Sequence, residues 1–179
     1  MVDRRTLGFG AVVLALLLSA GGWMGFTLTG AVDDVPTPNV PARSFFADEP
    51  LPEQVLSPFL SAELTLTWDR DDVYVVVVDE DEKNTCDATP SALIQNTGNT
   101  ACGPYDEDVV AISDDGGSGL AWVVEPGVHY VGVGTSPDTT LPQGAEVNLQ
   151  YSVHLRAGFA AYFVFAIIGA FGFAYGRSQ

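Results

Sequence analysis

The sequence predicts a mainly β protein: an antiparallel β-sandwich carried between two transmembrane α-helices. Three observations lead there. Ala157 to Tyr175 is a run of nineteen residues without charge or proline, which as a helix crosses a hydrocarbon core of about 30 Å. A second apolar run, Leu7 to Val32, stands near the other end of the chain. Between them lie about seven short segments of strand-like patterning, broken by Gly, Pro, Asp and Ser, the spacing of a sandwich.

Residues 1–6 hold Arg4 and Arg5 ahead of the first apolar run, which keeps the N-terminus cytoplasmic by the positive-inside tendency. The run over 7–32 is longer than the roughly 7–15 apolar residues of a cleaved leader, so it reads as a signal anchor. The rival reading is a cleaved signal, with Arg4-Arg5-Thr6-Leu7 loosely like a twin-arginine leader and Leu18-Ser19-Ala20 as the cleavage site. Either puts the middle of the chain outside. Gly21 and Gly25, and Gly172 and Gly176 in the last helix, have the four-residue spacing that lets membrane helices approach closely.

Residues 33–60 carry Pro36, Pro38, Pro41, Pro50, Pro52 and Pro58 with acids between them. Fixed φ angles and missing donors predict an extended linker. Phe45-Phe46 and Val55-Leu56 interrupt its polarity and are candidates to dock on the domain, and 53–60 could form one helical turn.

The external domain is expected over 61–155. Glu63 to Trp68 alternates, with Leu64, Leu66 and Trp68 on one face. Val73 to Val78 is apolar throughout, as a strand covered on both faces would be. Val109–Ile112 and Leu120–Val124 are short strands joined by a turn of glycines and short polar residues. Pro126-Gly127 leads into Val128–Val133, and Val147 to Leu155 alternates again. No helical periodicity of useful length occurs here. The last membrane helix follows at 157–175, and residues 176–179, with Arg177, return to the cytoplasm.

Four pieces resemble, in order, the pre-peptidase C-terminal domain of bacteria and archaea. They are Asp69-Arg-Asp-Asp-Val-Tyr-Val-Val-Val-Val-Asp79, Ser113-Asp-Asp-Gly-Gly-Ser-Gly119, Glu125-Pro-Gly-Val-His-Tyr-Val-Gly-Val133 and Val147-Asn-Leu-Gln-Tyr-Ser-Val153. The resemblance covers about residues 61–155. It implies a small jelly-roll-like sandwich of the kind attached to exported proteins, with a binding or stabilising role. Two departures limit it: a cysteine-bounded insertion, and no peptidase domain, so proteolysis does not carry over. Some members of the family bind calcium, which directs attention to Asp69, Asp71 and Asp72. Asp79 and Asp81, in the run Asp79-Glu-Asp-Glu82, offer further hard oxygen ligands. The bland reading of that run, a solvated acidic turn, fits better because no EF-hand spacing is present. No other cofactor is implied.

Composition narrows the function. Residues 33–156 contain 22 acids against four bases (Arg43, Arg70, Lys83, Arg156), a formal charge of -18. Such a surface repels nucleic acid and anionic lipid. Its acids are spread rather than clustered, which points to a halophile's protein, kept soluble where salt screens its self-repulsion. Cys86 and Cys102 enclose a polar loop and, outside the membrane, read as a disulfide; a metal pair is the rival, without C-x-x-C spacing or a nearby histidine. His129 and His154 fall on strands with no nucleophile at a recognisable spacing, and no G-x-S-x-G, H-E-x-x-H or P-loop occurs. The expectation is therefore a non-catalytic, two-pass protein of the cell membrane with an extracellular domain, an accessory subunit whose partners are the bilayer and other membrane proteins. The alternative is an external binding module for a cation, glycan or secreted protein.

Overall fold

The structure, a computed structural model, describes residues 3–89, 102–139 and 141–177. It forms two compact units. One comprises Met1–Leu28, Gln54–Ala62 and His154–Gln179; the other comprises Thr29–Glu53 and Glu63–Val153.

The first unit is built on helices α1 (Arg4–Met24) and α3 (Phe159–Arg177). Both are long and apolar enough to cross a membrane. They pack antiparallel: Gly8 of α1 meets Gly172 and Gly176, Ala15 meets Gly169, and Gly22 meets Phe165. Side chains facing away from the partner helix stay exposed, among them Phe9 (72%), Trp23 (78%) and Phe171 (73%). Of the four glycines expected to pack the helices, Gly172 and Gly176 lie on this seam. Gly21 has nothing within 4 Å of where a Cβ would stand, and Gly25 lies beyond the helix end; Gly8 holds the seam on α1 instead.

The expected helix over 7–32 is thus corrected to Arg4–Met24. Gly25, at φ 69°, ends it in a conformation that costs glycine little. The residues that follow, which include the β-branched Thr27, Thr29 and Val32, form strand β1 (Phe26–Pro36). The linker expected over 33–60 is likewise partly strand: β2 (Ser44–Phe46) pairs with Gly132–Gly134. Phe46 reaches Gly132, while Phe45 remains half exposed. Within 53–60, one turn closes through the Leu60 N–H to the Leu56 carbonyl at 3.1 Å.

The remaining strands are β3 (Leu60–Trp68), β4 (Val73–Asp79), β5 (Val109–Ser113), β6 (Leu120–Val123), β7 (His129–Thr135) and β8 (Glu146–Ala157). They make two four-stranded antiparallel sheets, ordered β1-β8-β3-β6 and β2-β7-β4-β5. The pairs nest: β4 with β5, β3 with β6, β2 with β7, β1 with β8, as in a long hairpin rolled on itself. In the β3–β6 register Leu64 faces Trp122 and Leu66 faces Leu120, all buried.

The core contains Leu64, Leu66 and Trp68 from one sheet and Val73, Val75, Val77 and Val133 from the other, which makes the two sheets a sandwich. Each such valine contributes about 1.5–3 kcal/mol by leaving water. Tyr74, Val76 and Val78, on the opposite face of β4, are buried too. That is why β4 is apolar at every position up to Asp79. A helix, α2 (Glu80–Ala88), packs against β4 and β7, where the sequence showed no helical pattern. Its nine residues are too few, and too polar, to reveal a period.

Candidate functional site

Asp69, Asp71 and Asp72 line one shallow cleft with Arg70 and Thr139, but among the described residues no three of the acids proposed as calcium ligands bring their carboxylate oxygens within 4.8 Å of one another. Asp69 accepts two hydrogen bonds from Asn148, from its backbone N–H at 3.0 Å and its Nδ2 at 2.7 Å. These hold its carboxyl below the usual carboxylate range. Asp72 is gripped by the Arg70 fork, Nε to Oδ1 and Nη2 to Oδ2, both at 2.8 Å, which lowers its pKa in the same way. Asp71 is exposed beside them. Asp79 caps α2, its Oδ1 accepting the Glu82 N–H at 2.8 Å, and Asp81 is exposed on the first turn. The run Asp79–Glu82 is therefore a helix start rather than a turn. Its acids complement the partial positive charge of the helix N-terminus, in an Asp-x-x-Glu capping pattern.

The acids that do meet are Glu82, Asp106 and Asp108, whose carboxylate oxygens lie within 4.8 Å of one another. Glu82 and Cys86, one helical turn apart, share the buried face of α2, at 7% and 3% exposure. The Cys86 and Cys102 sulfurs stand 2.13 Å apart, at disulfide distance. That pairing brings the turn after Cys102 against the helix. There Asp106 accepts the Cys102 N–H on Oδ2 at 2.6 Å and the Asp108 N–H on Oδ1 at 3.1 Å. Residues 90–101 of the cysteine-bounded loop lie outside the described residues.

Glu82 Oε1 stands 3.0 Å from Cys86 Sγ. A disulfide sulfur carries no hydrogen, so a hydrogen in this contact has to come from Glu82 itself. Burial, then the charges of Asp106, Asp108 and Asp79, push Glu82 up to about 7. Chemically, the group holds either a proton or a hard cation on its oxygens. Only the Asp-x-x-Glu cap and the Glu82–Cys86 spacing hint at it in sequence; the approach of Asp106 and Asp108 is tertiary.

The histidines have structural surroundings. His129 is buried edge-on to Trp122, with ring centroids 4.8 Å apart, and pairs across the strands with Asp79. His154 Nδ1 lies 2.7 Å from the Thr27 hydroxyl. Tyr74 is buried with its hydroxyl 3.1 Å from Ser44 Oγ, and burial pushes it up to about 12.

No known family's profile matches the chain, and no curated protein sequence matches it either. The resemblance to the pre-peptidase C-terminal domain therefore rests on the four sequence pieces alone. One solved structure, from work on Bacillus endospore appendages described as a family of disulfide-linked pili, is similar over 74% of this chain and 88% of that chain, at 13% identity and a TM-score of 0.33.

Proposed function

We propose that the chain is a membrane-anchored, extracytoplasmic and non-catalytic jelly-roll protein of a halophile, serving as a structural or accessory subunit of a membrane assembly. The observation that carries this is the antiparallel pair α1–α3. Its inner seam is glycine, and its outer faces, with Phe9, Leu16 and Phe171, are exposed and apolar. Acyl chains or another protein's helices cover such faces. Arg4 and Arg5 start α1 and Arg177 ends α3, so the antiparallel packing gathers all three at one end, the cytoplasmic end by the positive-inside tendency. The chain leaves and re-enters the pair at the other end, which sends the strands outside. The nested strand order supports the jelly-roll reading, and the -18 charge of residues 33–156 supports the high-salt setting. Purification of the full chain from its native membranes in mild detergent and molar KCl tests the assignment. A stoichiometric membrane partner is expected; an isolated monomer refutes it.

A second reading, an external module that takes a cation, is favoured by one observation. Glu82 is buried beside two more carboxylates and faces a sulfur that cannot donate to it. A melting temperature unchanged by calcium after chelation excludes this reading and leaves the first intact.

A further inference from the structure

We propose that Arg156, His154 and Tyr162 form a site for the phosphate of an anionic phospholipid headgroup, at the end of the helix pair opposite Arg4 and Arg5. The inference rests on the membrane reading above and adds to it a specific ligand.

A cleft of about 660 Å³ lies there, lined by Trp23, Met24, Ser61, His154, Arg156 and Tyr162, with Ala157 at its side. Its position follows from the helices: Trp23 and Met24 end α1, and Tyr162 is in the first turn of α3. A tryptophan that is 78% exposed and a tyrosine at one end of an apolar helix pair mark the level of the headgroups.

Arg156 stands apart among the bases of residues 33–156. Arg70 is paired with Asp72, Lys83 with Asp87, and Arg43 lies over Phe45. Arg156 makes no ion pair among the described residues, although that segment holds 22 acids. Its guanidinium offers a planar fork suited to two oxygens of one phosphate.

The neighbours add donors. With Nδ1 engaged by Thr27 at 2.7 Å, His154 keeps Nε2 for a ligand. A Cβ on Gly25 would stand 2.8 Å from that Nε2 and 3.0 Å from Arg156 Cγ, so both side chains crowd the same bare glycine. The hydroxyls of Tyr162 and Ser61 complete a wall rich in donors and free of carboxylates. Such a wall suits an anion with several oxygens. It also gives a chain whose middle repels anionic lipid one point of attraction where it enters the bilayer.

The test uses the full chain in nanodiscs of equal phosphatidylglycerol and phosphatidylcholine, then gentle transfer to detergent in molar KCl and quantification of retained lipid. Phosphatidylglycerol is expected to be retained several-fold over phosphatidylcholine. Arg156→Gln should bring the ratio near one, Arg156→Lys should keep part of the preference, and Arg5→Gln, at the other end, should leave it unchanged. Equal retention by the wild type, or a preference that survives Arg156→Gln in a chain of native melting temperature, overturns the site. Displacement of the lipid by millimolar inorganic phosphate would reveal a free-anion site and overturn the lipid assignment. Release of the chain from native membranes by alkaline carbonate would defeat the membrane reading itself. A carbonate-resistant chain without lipid preference defeats only the headgroup site.

Discussion

Gly8 on α1 and Gly172 on α3 meet backbone to backbone: a Cβ on Gly8 would stand 2.5 Å from the Gly172 carbonyl oxygen. Gly176 Cα is only slightly farther from the same point, at 2.7 Å. No side chain fits at Gly8 unless the helices part. In the absence of a hydrophobic drive between helices in lipid, close packing of this kind is a main source of their association.

Gly8→Ala is therefore expected to destabilise the full chain in detergent by about 1–3 kcal/mol, the usual cost of overpacking. Gly21→Ala, on the same helix with open space around it, should be neutral or slightly stabilising. Unfolding curves of the two variants in one detergent decide this. Equal losses would mean that the seam does not run through Gly8.

Both ends of the helix pair carry information about sidedness. With Arg4, Arg5 and Arg177 at one end, tags at both termini should survive protease added to intact cells. Digestion of a C-terminal tag would reject this topology. A mature N-terminus beginning near Gly21 would show that α1 is a cleaved leader.

Glu82 makes stability depend on pH. Its carboxyl titrates at about 7 in the fold against 4.5 ordinarily, because burial and then Asp106, Asp108 and Asp79 oppose its charge. The folded state thus binds more protons between those values. The contribution of Glu82 to stability is greatest below about 4.5, falls as pH rises to about 7 and levels off above it. With divalent cations chelated and molar KCl present, the wild-type melting temperature should fall across this window more steeply than that of Glu82→Gln. Parallel curves would remove Glu82 from the account.

Cys86 and Cys102 close a 16-residue separation between α2 and the turn that carries Asp106. Chain entropy gives such a link roughly 3 kcal/mol. Cys86→Ser should lose about that much in denaturant titrations of the full chain, and should bring the Glu82 titration closer to the ordinary carboxylate range. Peptide mapping without reductant should recover the two cysteines joined; recovery of two free thiols would contradict the link.

Salt should act on the whole molecule. With 22 acids and four bases over residues 33–156, most carboxylates neighbour other carboxylates. The Debye length falls from about 30 Å at 0.01 M salt to about 3 Å at 1 M. The melting temperature of the full chain should therefore rise markedly between dilute buffer and molar KCl. A flat response would show that the acids are neutralised by bound cations or a basic partner.

By itself the sequence determined the class of the fold and most of its strands. The all-apolar Val73–Val78 had to be covered on both faces, and the alternation of Glu63–Trp68 had to put Leu64, Leu66 and Trp68 inside, because strand side chains repeat every two residues. Two long uncharged runs also had to be the terminal helices. The tertiary structure decided where the first helix ends, since Phe26–Val32 is apolar enough to continue it and is claimed by pairing within a sheet. It also made Gly8, rather than Gly21, the contact of the helix pair, because four-residue spacing gives a face without saying which partner that face meets. The acidic group was illegible for the same reason: Glu82 and Asp106 lie far apart along the chain, beyond the reach of any local pattern. Only the cysteine link and the cap of α2 bring their carboxylates together. Sequence patterns report on neighbours along the chain, while a site of this kind depends on distances across it.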